Sequence, residues 1–82
     1  MLTNDDSFSI KLLGRAGLEY SENGFVILVD GEMLMGPSGY VVYKNYMKVL
    51  EGNVELDEIL KNKIIENIRM VFAEQGFNIE IQ

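Results

Sequence analysis

Cysteine, histidine and tryptophan are all missing from these 82 residues, and proline occurs once. Without cysteine there is no disulfide framework, no thiolate nucleophile and no zinc-thiolate site. Without histidine, the usual general base near neutral pH is gone, and with it the common partner of a nucleophilic side chain. Basic residues are also scarce: Lys and Arg number 7 against 13 Asp and Glu, a net charge of −6. Such a chain repels phosphate backbones and anionic lipid, so nucleic acid and membrane surfaces are disfavoured as partners. No apolar run approaches the ~20 residues that span a bilayer. The first stretch, MLTNDDSFSIKLL, is acidic where a secretory signal is basic. A cytoplasmic location is expected.

What remains is apolar enough to fold. Hydrophobic residues make up 48% of the chain, which argues against disorder, and the length fits one domain over residues 1–82. Residues 1–6 are expected to be a flexible N-terminus. Alternation then marks strands: Phe8, Ile10 and Leu12 oppose Ser9 and Lys11, and Leu18 and Tyr20 oppose Glu19 and Ser21. Asn23-Gly24 carries the signature of a two-residue type I′ hairpin. Phe25 to Val29 follows, apolar on both faces, as in a strand covered on both sides. Asp30-Gly31 repeats the hairpin signal and is expected to turn into a strand over Glu32 to Met35. Gly36-Pro37-Ser38-Gly39 then separates it from another β-rich run, Tyr40 to Tyr43.

From about Leu56 the period becomes helical, with Leu56, Leu60, Ile64 and Ile68 every fourth residue. Asn53 and Asp57 are the two candidates for the N-cap, and Gly76 suits the left-handed residue beyond the C-terminus. Phe77, Ile79 and Ile81 alternate as a last strand. Lys44 to Asn53 reads as a short helical turn or an irregular loop. The expected fold is therefore α+β. An antiparallel β-meander of about five to six strands carries one amphipathic C-terminal helix on one face and a final short strand. The helix leaves the Val26/Leu28 side uncovered, so either the first strands curl over it or another chain packs there. Curling is the expectation.

No catalytic, cofactor-binding or metal site is expected. Asp30 and Glu32 could touch a hard cation but could not enclose it. Glu19, Glu22, Asp30 and Glu32 lie near hairpin ends, where solvent is expected and no cleft would keep one of them protonated. Gly36 to Gly39 lacks the Lys-Ser/Thr of a phosphate-binding loop. The better candidates are for protein contact: Asp30, Glu32, Met33, Met35, Tyr40, Tyr43 and Tyr46. Methionine adapts to irregular surfaces and tyrosine concentrates at interface hot spots. A basic partner would complement the charge, and acidic groups near it would speed association.

The strand running into VDGEML, the GYVVY segment, the amphipathic helix and the terminal Gly-Phe-Asn-Ile-Glu-Ile together resemble the immunity protein 74 family of bacterial polymorphic toxin systems. The resemblance spans roughly Gly17 to Ile81. It implies a non-enzymatic protein that binds and neutralises a bacterial toxin made by the same cell, and it carries over no catalytic residues; the chain's own acidic charge adds the expectation that this toxin has a basic surface. The competing expectation is a small self-associating structural or adaptor domain, a homodimer that covers its second sheet face with another copy.

Overall fold

The computed structural model describes residues 2–3, 8–14, 16–34 and 39–82. Six strands form one sheet in sequence order: β1 (Leu2–Thr3), β2 (Phe8–Leu12), β3 (Ala16–Glu22), β4 (Phe25–Met33), β5 (Gly39–Glu51) and β6 (Asn78–Ile81). The helix α1 (Glu58–Glu74) lies between β5 and β6 in the chain. Neighbouring strands are antiparallel except the last pair, because α1 returns the chain so that β6 runs parallel to β5. The fold is α+β, and Asn23-Gly24 turns between β3 and β4 with positive φ at both residues (46° and 83°), as a type I′ turn demands.

Alternation sorts the sheet into two faces. Phe8 and Ile10, Leu18 and Tyr20, Phe25, Ile27 and Val29, and Tyr40 and Val42 join Ile64, Ile68, Val71 and Phe72 of α1 in one buried core. The helix is delimited by its ends. Asp57 is the N-cap, its Oδ1 accepting from the Leu60 N–H at 2.8 Å. At the other end the Phe77 N–H donates to Phe72 O (2.8 Å) and the Gly76 N–H to Ala73 O (3.0 Å), with Gly76 at φ 84°. These are the paired bonds of a Schellman motif. The hydrophobic contact that accompanies it is the Phe72–Phe77 ring pair, 5.9 Å between centroids.

Three expectations are corrected. Asp30-Gly31-Glu32 is not a hairpin turn but part of β4, and the chain turns later, where the Leu34 N–H bonds Gly39 O at 3.0 Å. Lys44 to Glu51 is neither helix nor loop but the continuation of β5. Leu2–Thr3, placed in a flexible terminus, pairs with Ile10 and Ser9, while the rest of residues 1–6 lies outside the described residues. β1 and β2 extend the same sheet beyond β3, and Val26 and Leu28 are half-buried on the face away from the helix.

The reason β4 runs through Asp30-Gly31 is spatial. A Cβ on Gly31 would stand 2.5 Å from Val41 O and 2.8 Å from Tyr40 Cε1. Only a residue without a side chain lets the Tyr40 ring lie against the strand there. The glycine is used for close approach, not for turning. Gly31→Ala should therefore cost at least about 2 kcal/mol through overpacking against backbone; a urea midpoint equal to that of the parent would contradict this packing.

Candidate functional site

On the face away from α1, irregular pairing builds relief into the sheet. Opposite β3, the pairs Ala16↔Glu32 and Leu18↔Val29 leave Asp30 and Gly31 facing the single residue Gly17. Opposite β5, Gly31↔Val42 is followed by Val29↔Met47, five steps along β5 against two along β4. Tyr43 to Tyr46 thus holds three more residues than its partner can match, a large bulge. An odd insertion reverses the alternation, so Val42 points into the core before it, and Met47 and Val49 do so after it.

The bulge is anchored on both sides. The Lys44 N–H donates to Gln82 O at 2.9 Å, and Gln82 N–H returns a bond to Val42 O at 2.8 Å. Lys44 Nζ meets Glu58 Oε2 at 2.8 Å in the first turn of α1. The hydrogen bond and charge from Lys44 hold the Glu58 carboxyl below its ordinary value. Tyr43 and Tyr46 pack edge to face, 6.4 Å between centroids at 79°. Beside this segment lies an open depression of about 560 Å³, lined by Ala16, Gly17, Leu28, Asp30, Asn45, Tyr46, Met47 and Lys48.

The contact candidates divide on this geometry. Asp30 and Tyr46 line the depression, and Tyr46 is 68% exposed. Glu32 follows two residues along the same face, exposed, and Tyr43 braces Tyr46 while half-buried. Met33 is 45% exposed but alternation turns it to the opposite side of the sheet. Met35 lies outside the described residues. Tyr40 is a correction: it is 1% exposed, packed edge-on against Phe72 at 5.2 Å, and cannot offer a contact surface. Glu22, expected at a solvent-facing hairpin end, is likewise buried. It accepts from Tyr20 Oη (2.6 Å) and Lys63 Nζ (2.5 Å), while Asn67 Nδ2 donates to the Tyr20 oxygen (2.7 Å).

Sequence reasoning missed this polar link between β3 and α1. Its trace was polar residues at helical spacing (Lys63, Asn67) facing Tyr20 and Glu22 at strand spacing. It also missed Gly17, Asn45 and Lys48, which the bulges bring to Asp30 and which no local pattern marks. Among the described residues no three carboxylates converge in a way that could hold a metal ion. No described helix is long and apolar enough to cross a membrane.

A family model described as Immunity protein 74 matches residues 10–82, from the middle residue of β2 to the end of the chain. The chain belongs to the immunity protein 74 family. The match takes in both bulges, the depression and the helix. Family membership implies a protein toxin as partner. No curated protein and no solved structure matches the chain.

Beneath the depression, the Tyr40 hydroxyl is the one buried side-chain polar atom among the described residues without a hydrogen-bond partner. Burial pushes its pKa above 10.0; the Gly17 backbone partly offsets the rise, and the Asp30 charge adds to it. The native state keeps the phenol protonated where an unfolded tyrosine ionises. This contribution is complete below about pH 10 and is lost as pH rises through the higher folded pKa. Tyr40→Phe should thus change stability at about pH 8 by no more than ~1 kcal/mol, or raise it, and should flatten the decline towards about pH 11. Urea unfolding at both pH values checks this; a loss well above that at neutral pH would mean that the hydroxyl is bonded.

Proposed function

We propose that this immunity protein binds a toxin made by its own cell and neutralises it by occupation, without catalysis, through the sheet face opposite the helix. The observation that carries the reading is the family match over residues 10–82. The distribution of charged and apolar side chains over the sheet supports the choice of face. Alternation turns Glu19, Asp30, Glu32, Glu51 and Glu80 outward there, against Lys11 and Lys48 among the described residues. Between these charges lie half-buried Val26 and Leu28 and exposed Tyr46. An apolar and aromatic centre within an acidic surround suits a partner whose binding patch is basic.

The charge also bears on self-association. Two copies apposed through this face would bring like charges together at a net −6 each, which a basic partner would relieve. A toxin is the better occupant.

Co-expression with the product of the adjacent reading frame tests the reading: the chain should restore growth and co-purify with that product. Within such a complex, Asp30→Lys and Tyr46→Ala should each weaken binding at least ~10-fold, about 1.4 kcal/mol, while leaving the thermal midpoint close to that of the parent. Affinity by calorimetry and melting by circular dichroism separate the two effects. Unchanged affinity in both variants would move the interface off this face, and absence of both rescue and complex would remove that toxin as partner.

A further inference from the structure

We propose that the depression beside the β5 bulge is a receptor for one cationic side chain of the partner, arginine best of all, seated between the Asp30 carboxylate and the Tyr46 ring. The proposal rests on the toxin-binding reading for its biological occupant, though its chemistry can be tested without a toxin. The Asp30 side chain has no ion pair or hydrogen bond among the described residues, and Asp30 itself is the unmatched residue between the paired Val29 and Gly31 of β4. A carboxylate that lines an open depression and is left unpaired is available to an incoming cation.

Tyr46 supplies the second contact. Its ring is 68% exposed yet braced by Tyr43 at 6.4 Å, on a bulge pinned by Lys44 to Glu58 and to the Gln82 backbone. An arginine guanidinium is planar, stacks on aromatic faces and bonds a carboxylate through two N–H groups, which a lysine ammonium does not do. The remaining lining suits an aliphatic stem. Leu28 is apolar, and Ala16 and Gly17 add little or no bulk. Gly17 sits opposite the Asp30-Gly31 bulge at φ 81°, a left-handed conformation that favours glycine.

Lys48 sets the direction. It pairs with Leu28, two residues along β4 from Asp30, and so places a positive charge at the far end of the same depression. A cation entering there is repelled from Lys48 and drawn to Asp30. Removing that repulsion should strengthen the site.

The test titrates the ¹⁵N-labelled chain with acetyl-glycyl-arginyl-glycinamide and, separately, with its citrulline counterpart, which keeps shape and loses charge. Amide shifts should be saturable and concentrated at Gly17, Asp30, Asn45 and Tyr46, and several-fold smaller with citrulline. Asp30→Asn should reduce the arginine response several-fold, and Lys48→Glu should increase it; both variants are first checked for a dispersed, parent-like spectrum. Shifts that are absent, spread over the whole surface or equal for the two peptides overturn the proposal. So does a Lys48→Glu variant that binds no better, which also covers the case in which Asp30→Asn fails to fold. Since no toxin is present, this failure leaves the toxin-binding reading standing. A chain that takes the arginine peptide but neither rescues growth nor binds the toxin fails that reading alone.

Discussion

The contact between the Tyr40 ring and the bare backbone of Gly31 is the constraint on which the outer half of the sheet depends. Tyr40 must be inside, because its ring fills the core against Phe72. To get there it crosses the place where a β4 side chain would stand, and only glycine leaves that place empty. Once Val42 is registered on Gly31, the two strands disagree in length before they meet again at Val29 and Met47. The surplus residues have to leave the ladder, and they do so as the Tyr43–Tyr46 bulge.

From that mismatch follow both the inside and the outside of this region. An odd surplus returns Met47 and Val49 to the core, so β5 stays amphipathic along thirteen residues despite the interruption. Outside, the same residues raise Tyr46 and Asn45 above Asp30, Gly17 and Leu28 and create the depression. The helix contributes at a distance. Its first turn offers Glu58 to Lys44, and its Schellman end sends β6 back alongside β5, where Gln82 pairs with the base of the bulge. Core and candidate interface are thus coupled through a few backbone bonds and one exposed ion pair.

The polar link across the core face adds specificity of another kind. Glu22 is nearly enclosed, and its two oxygens are taken up by Tyr20 and Lys63. A carboxylate removed from water without such partners would be costly, so the pair fixes where α1 sits over β3. Lys63 is itself half exposed, which tempers the strength of the link. A helix fixed in this way over its sheet keeps the opposite face in shape.

Local chemistry made much of this legible. Alternation identified β2, β3 and the first half of β4, Asn23-Gly24 marked its hairpin, and the fourfold spacing with Asp57 and Gly76 marked α1 and its limits. Each of those signals acts between residues close in the chain. Residue chemistry also determined the acidic balance and the lack of histidine and cysteine, and the short motifs pointed to the family. Asp30-Gly31 misled because a glycine that turns and a glycine that is approached look alike until the approaching residue, Tyr40, is known. Lys44 to Glu51 looked irregular because its alternation reverses at a bulge whose size is set by β4. The burial of Tyr40 and Glu22, and the meeting of Asp30 with Tyr46, were decided only by tertiary structure. They depend on register between strands, and register is a property of the pair.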